Sequence, residues 1–142
     1  MFSKPYNGWT TLSITAQKKY TTDVKLIWHV SFLSNIPIEI LVALLNWYTE
    51  HKSQLVNLEL EEKGRGSMLI MSDGQVQFIN TTYNYPTIYR LGNIDEIVDE
   101  ILEDFENEID AWSDFFCMID NNSRKKNKEK IQKLIENVKA VK

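Results

Sequence analysis

Apolar and polar residues alternate along several short stretches of the chain, and this alternation predicts half-buried β-strands. The first two stretches, 9–15 and 24–33, are separated by a polar turn, so we expect them to pair as a hairpin. Two more runs flank Asp73-Gly74, and this dipeptide predicts a type I′ hairpin turn because both residues tolerate positive φ. The first half of the chain is therefore expected to be rich in antiparallel strands.

Three further predictions concern the middle of the chain. Residues 56–60 alternate and predict a strand, and Gly64-Arg65-Gly66 predicts a turn after it. The segment 82–91 is a candidate strand, which Pro86 restricts to a sheet edge or a loop.

Other segments have apolar residues spaced three and four positions apart, which predicts helices. Pro37 suits the first turn of one of them, whose apolar residues lie nearly all round, so we expect it to be buried on most sides. Asn93 is the predicted N-cap of the next helix, and a loop at 117–123 is expected to end it. The predicted helices cover about 34–52, 93–116 and 124–142.

The order of predicted elements is β-β-α-β-β-β-(β)-α-α. It indicates a single α+β domain over residues 1–142, with an antiparallel sheet of about five strands and three helices. Cys117 is the one cysteine, so no internal disulfide is possible. The longest apolar run, 36–45, is interrupted and far shorter than the roughly 20 residues of a membrane span. We therefore expect a cytoplasmic protein without membrane contact.

Charge is distributed very unevenly near the C-terminal end. Residues 95–114 contain ten carboxylates and no Lys or Arg, whereas residues 124–142 contain eight bases and two acids, within a chain of net charge −4. The ten carboxylates include seven like-charge pairs four residues apart, which cost a helix about 1.5–3.5 kcal/mol at low salt. So large a cost calls for a physical explanation.

Three interpretations of the acidic segment remain open. It could be a solvated surface that keeps the protein soluble. It could pair within the chain with the basic amphipathic helix 124–142 lying antiparallel beside it. It could also be a docking surface for a basic macromolecule, where negative charge would steer association.

No catalytic, cofactor or metal motif is apparent. Residues 120–131 begin like a calcium loop but lack the glycine at the sixth position and the acid at the twelfth. The acidic segment has no histidine for a di-metal carboxylate site. A nucleophilic pair of Cys117 with His29 is conceivable, but the phenylalanines next to Cys117 favour a buried, inert thiol. We therefore predict a protein that is not an enzyme and needs no cofactor.

A second candidate surface is the tyrosine segment, which we define as residues 83–90. Tyr and Arg are enriched in binding hot spots, although a tyrosine-rich edge strand packed on the sheet would show the same pattern. The acidic helix would repel phosphate, so no direct contact with nucleic acid is expected. The predicted partner-binding residues are Asp95, Asp99, Glu100, Glu103, Asp104, Glu106, Asp110, Tyr83, Tyr85, Tyr89 and Arg90.

In general character the chain resembles bacterial immunity proteins and phage-encoded inhibitors, which are small, acidic, cysteine-poor α+β proteins rich in Asn and Ile. The resemblance rests on composition. It implies a protein that neutralises a basic partner, such as a nuclease toxin or a defence protein, through the acidic helix. The alternatives are a homodimeric scaffold that associates through its C-terminal helix, and a small-molecule-binding domain with a pocket between the sheet and the helix after residue 36.

Overall fold

The described residues of the computed structural model are 1–6, 9–18, 21–31, 35–61, 64–115 and 121–142, and they form six strands and four helices. The predicted α+β class is confirmed. The strands are β1 (Trp9–Lys18), β2 (Thr21–Ser31), β3 (Gln54–Glu59), β4 (Arg65–Ile70), β5 (Gln75–Asn80) and β6 (Thr87–Asn93). The helices are α1 (Ile36–Glu50), α2 (Ile94–Asn107), α3 (Ile109–Phe115) and α4 (Asn121–Val141).

The strands form two antiparallel sheets, which corrects the prediction of a single sheet. β1 and β2 pair as the predicted hairpin, and β3, β4, β5 and β6 form a four-stranded meander in that order. An isolated bridge between Val30 and Leu60 links the two sheets. The hairpin contributes side chains to the core instead of extending the ladder, and the ring of Trp28 lies 4.6 Å from that of Phe78.

One face of the four-stranded sheet is covered. The alternating strand residues that point to this face are buried, and they are Val56, Leu58, Met68, Ile70, Val76 and Phe78. α1 packs on β3 and on α4, and most of its apolar residues are buried, as predicted. The indole Nε1 of Trp47 donates to the carbonyl of Met71 at 2.7 Å, which fixes α1 against the sheet.

The β4–β5 hairpin is confirmed, but its turn is not of type I′. Gly74 has a φ of +86°, while His51 is the one non-glycine residue with positive φ in the described part of the chain, so Asp73 does not adopt the required conformation. The N–H of Gly74 donates to the carbonyl of Met71. The connection is therefore a three-residue loop, a type I turn followed by a glycine with positive φ.

The predicted turn at 64–66 is wrong in part, because β4 begins at Arg65. Gly66 pairs with Leu58 on one side and Asn80 on the other, inside the sheet. A Cβ added to Gly66 would lie 2.6 Å from two carbons of the Phe78 ring. Gly66 is thus required because the buried ring of Phe78 approaches the strand closely. From the sequence alone, the same glycine indicates a turn.

α2 begins at the predicted cap. The side chain of Asn93 accepts from the N–H of Asp95, and the carboxylate of Glu96 accepts from the N–H of Asn93 at 2.9 Å, which completes a capping box. The predicted single helix over 93–116 is interrupted at Glu108. At the break, the indole of Trp112 donates to the carbonyl of Asp104, which lies in the last full turn of α2.

α4 begins at Asn121, three residues earlier than predicted, and its Ile131, Ile135 and Val138 are buried inside the chain. These three residues of the predicted apolar face thus pack within the chain, whereas Val141 at its end is 41% exposed. Residues 116–120 lie outside the described residues. The prediction of a buried, inert thiol at Cys117 therefore falls outside them too.

The N-terminal residues are part of the core. Phe2 is buried, and its ring stacks on Phe105 at 5.8 Å and meets Trp112 edge-on at 6.0 Å. The N–H of Phe2 donates to a carboxylate oxygen of Asp104 at 2.7 Å. The first residues of the chain thus hold α2 and α3 together.

Candidate functional site

The acidic segment divides into two electrically different halves. In the half from 104 to 114, all five carboxylates have a cationic partner. Three pair with α4: Glu106 with Lys139 at 2.7 Å, Asp110 with Lys128 at 2.6 Å, and Asp114 with Arg124 at 2.5 Å. The other two pair near the start of the chain, Asp104 with the Met1 amine at 2.9 Å and Glu108 with Lys4 at 3.0 Å.

The half from 95 to 103 is neutralised much less. Asp99 pairs with Lys142, and Glu100 with the Met1 amine. Asp95 accepts from the hydroxyl of Tyr48 at 3.0 Å, and Glu96 serves the capping box, so neither meets a positive charge. Glu103 has no ion pair with any residue that the structure describes. We name these five residues, Asp95, Glu96, Asp99, Glu100 and Glu103, the acidic patch.

Two neighbouring groups respond to the negative charge of this region. Burial, and then the hydrogen bond to Asp95, raise the pKa of the Tyr48 hydroxyl far above its ordinary value. Burial lowers the pKa of the Met1 amine, but the hydrogen bonds and charges of Glu100 and Asp104 outweigh burial and leave that pKa raised. The rise at Met1 is therefore produced by the neighbouring carboxylates, whereas at Tyr48 burial is the larger cause and Asp95 adds to it.

Pairing within the chain is thus observed, and it follows the antiparallel arrangement of α4 beside the acidic helices. It involves five of the residues predicted to bind a partner: Asp104, Glu106 and Asp110 in the neutralised half, and Asp99 and Glu100 in the acidic patch. The predicted carboxylates Asp95, Asp99, Glu100 and Glu103 all lie in the acidic patch and are exposed.

The tyrosine segment does not act as one unit. Tyr83 and Tyr85 lie in the loop before β6 and are 76% and 86% exposed. Tyr89 points to the covered face, where its ring lies 5.2 Å from that of Trp28, so it belongs with the core. Arg90 is exposed on the opposite face, beside Gln77 of β5. α2 packs on the covered side of the sheet, so Arg90 and the acidic patch lie on different sides of the molecule.

Sequence reasoning missed the uncovered face of the four-stranded sheet. Leu55 and Ile88 on its two outer strands are 57% and 60% exposed. Leu69 is the cross-strand neighbour of Leu55, and Ile79 is that of Ile88. We name this surface the open face. The apolar alternation of 56–60 correctly indicated the covered face, but no signal in the strands showed that their outward residues stay uncovered.

Two surface depressions are lined by described residues. One, of about 260 Å³, lies between the break after α2 and α4, and is lined by Glu106, Ile109, Gln132, Ile135 and Glu136. The other, of about 360 Å³, lies at one end of the open face around Asn57, Glu59, Arg65, Ser67 and Thr81.

Among the described residues, no group of three or more His, Cys, Asp or Glu side chains is arranged to hold a metal ion. No helix in the same part of the chain is long and apolar enough to cross a membrane. Comparison of the chain with protein-family models, with curated proteins and with solved structures gives no match.

Proposed function

We propose that the protein is a non-enzymatic binding module whose acidic patch docks a basic macromolecular partner. The observation that supports it is the uneven neutralisation of the acidic segment. Five exposed carboxylates lie within nine residues of α2, and only Asp99 and Glu100 of them meet a positive charge among the described residues. Within the acidic segment, the carboxylates without a cationic partner are therefore concentrated on α2.

Such a patch is suited to steering a cationic partner. Charges on a rigid helix add their potentials, and electrostatic complementarity raises association rates by about 10- to 1,000-fold. The carboxylates of the two ion pairs in the patch, Glu100 and Asp99, are 56% and 68% exposed, and the Met1 amine also pairs with Asp104. Exposed pairs typically contribute only about 0–1 kcal/mol, so a partner's Lys or Arg can replace them at small cost.

The partner that fits this chemistry is a protein with a basic cleft or patch, such as a nuclease toxin or a defence protein. Three of the predicted partner-binding residues would act indirectly, because their ion pairs hold other parts of the chain in place. Asp104 holds the first residues, and Glu106 and Asp110 hold α4. Arg90 would not share this interface, because it lies on the open face, on the other side of the sheet from α2. Tyr83 and Tyr85, in the loop before β6, have no part in this proposal.

Two variants that remove the same amount of charge test the proposal. The patch variant carries Asp99→Asn, Glu100→Gln and Glu103→Gln. The paired variant carries Glu106→Gln, Asp110→Asn and Asp114→Asn. Each is used, beside the wild-type protein, to retain partners from a lysate of the source cells near physiological salt, where charges more than about 8 Å away are screened.

We expect the wild type and the paired variant to retain the same basic protein at near-equal stoichiometry, and the patch variant to lose it. Association of the purified pair should slow about tenfold or more in the patch variant. Equal binding by the patch variant and the wild type would refute the proposal. Equal weakening in both variants would show that net charge matters and the location of the patch does not.

A further inference from the structure

The open face has an ordered chemical pattern. Leu55 and Leu69 are cross-strand neighbours on β3 and β4, and we name them the Leu pair. Ile79 and Ile88 are cross-strand neighbours on β5 and β6, one row further along, and we name them the Ile pair. Each pair shares its row across the four strands with two polar residues, so the open face has four quarters. Gln77 and Arg90 continue the row of the Leu pair, and Asn57 and Ser67 precede the Ile pair in the other row.

We propose that the open face docks a second copy of the chain, so that the protein is a symmetric dimer formed by face-to-face packing of the two four-stranded sheets. This inference concerns a different surface from the acidic patch and does not depend on the proposed function.

The diagonal pattern of the open face is complementary to itself. A two-fold axis that lies in the interface along the line from the Leu pair to the Ile pair places each apolar pair on its own counterpart. The same rotation brings the quarter with Arg90 opposite the quarter with Asn57 of the second copy, and so avoids a contact between two arginines. The strands of the two sheets then cross steeply, which is one of the two common arrangements of packed sheets.

The area available is what a stable dimer needs. Strands about 4.8 Å apart that extend about 3.4 Å per residue give four strands of six residues a flat area of roughly 400 Å². Tyr83 and Tyr85 in the exposed loop between β5 and β6 would each add about 150–250 Å² if the second copy also covers this loop. The sum, roughly 700–900 Å² per copy, matches the roughly 800 Å² per partner of a standard interface.

Charge also favours a second copy over an unlike partner at this face. The charged residues of its strands are Arg90 and the cross-strand pair Glu59 and Arg65, so the open face is nearly neutral. The acidic patch, by contrast, would repel the same patch of another copy. Two molecules that each carry a net charge of −4 can therefore approach most closely through their open faces.

Sedimentation velocity and light scattering of the full chain, from low to high micromolar concentration, test the proposal. The variants are Leu55→Lys and Ile88→Lys, each at an exposed position where lysine is tolerated in the monomer. The matched control is Ile27→Lys on β2, since Ile27 is an exposed strand isoleucine, 55% accessible, outside the open face. Far-UV circular dichroism and a thermal melt confirm that all variants fold.

We expect a wild-type dimer whose dissociation constant rises at least about tenfold in Leu55→Lys and in Ile88→Lys, and is unchanged in Ile27→Lys. A wild-type protein that is monomeric over the whole range overturns the proposal, as the face would then serve another occupant. A dimer that both open-face variants leave intact also overturns it, because the copies would associate elsewhere.

Discussion

Replacement of Gly66 by alanine tests how the sheet and its largest buried ring fit together. The new Cβ would lie 2.6 Å from Cε2 and Cζ of Phe78 and 3.3 Å from a methyl carbon of Leu60. Carbon atoms pack at about 3.5–4.0 Å, so the ring would have to move by roughly 1 Å. Phe78 is fully buried and its ring already contacts those of Trp28 and Tyr89. The ring has no space to move into.

The expected cost follows from two opposing effects. Overpacking of a filled core typically costs about 1–3 kcal/mol. Alanine also restricts the unfolded chain, which stabilises the folded state by about 0.4–1 kcal/mol. We therefore expect Gly66→Ala to lower the free energy of unfolding by about 1–2 kcal/mol, measured by urea denaturation with unchanged m-values.

A double-mutant cycle with Phe78→Leu separates the ring contact from other effects. In the Phe78→Leu background the obstructing ring carbons are absent, so Gly66→Ala should be neutral or stabilising by up to about 1 kcal/mol. The coupling energy between the two positions should then exceed about 1 kcal/mol, within the range for residues in contact. If Gly66→Ala stabilises both backgrounds equally, Gly66 is an ordinary strand glycine and the reasoning about the close approach is refuted.

Three other substitutions have defined outcomes. The pKa of Tyr48 is raised far above the roughly 10 of an unfolded tyrosine, so its contribution to stability is present below about pH 10 and lost as pH rises toward the folded-state pKa. In urea titrations, the stability difference between wild type and Tyr48→Phe should begin to shrink at about pH 10 and go on shrinking above about pH 11. His51 ends α1 with a φ of +51°, a conformation that glycine adopts more easily than alanine. The free energy of unfolding should therefore be about 1 kcal/mol larger for His51→Gly than for His51→Ala, although both lose the contact with Trp47. Asn127→Ala should destabilise by about 1–3 kcal/mol, since buried Asn127 donates to the carbonyl of Ser113 at 2.9 Å; a loss below 0.5 kcal/mol, on the order of an exposed site, would contradict this.

Local signals in the sequence predicted most of the elements. The cap at Asn93, the early proline of α1 and the alternation of the strands act within a few residues, and the structure confirms each of them. The errors arose where distant contacts decide. Gly66 is explained by Phe78, twelve residues away, and the end of α2 coincides with an indole contact from Trp112.

The candidate sites show the same limit. Sequence alone identified an excess of carboxylates, but which of them are neutralised depends on how α4 and the first residues lie against α2 and α3. Lys142 and Asp99 are 43 residues apart, and Met1 and Glu100 are 99 apart. The outward residues of the four-stranded sheet are exposed because no other described element packs on them. The positions of other elements cannot be predicted from the residues of the strands alone.

The two halves of the acidic segment should respond oppositely when their charge is removed, and this separates a solvated surface from a docking surface. The patch variant described above removes Asp99, Glu100 and Glu103, which take part in four of the seven like-charge pairs and would relieve about 1–2 kcal/mol of repulsion at low salt. It loses two ion pairs whose carboxylates are exposed, and the Met1 amine keeps its pair with Asp104, so the free energy of unfolding should stay unchanged or rise slightly.

The paired variant instead loses three ion pairs to α4, which are also exposed and contribute about 0–1 kcal/mol each. It relieves only two of the seven like-charge pairs, so its free energy of unfolding should fall by up to about 2 kcal/mol. Urea denaturation of both variants at low and moderate salt measures the contrast, which should diminish as salt rises. A patch variant that is more stable yet no longer retains its partner would show that the carboxylates of the acidic patch are kept for binding. If that variant is less stable than the paired variant, the division of the acidic segment into a structural half and a recognition half is wrong.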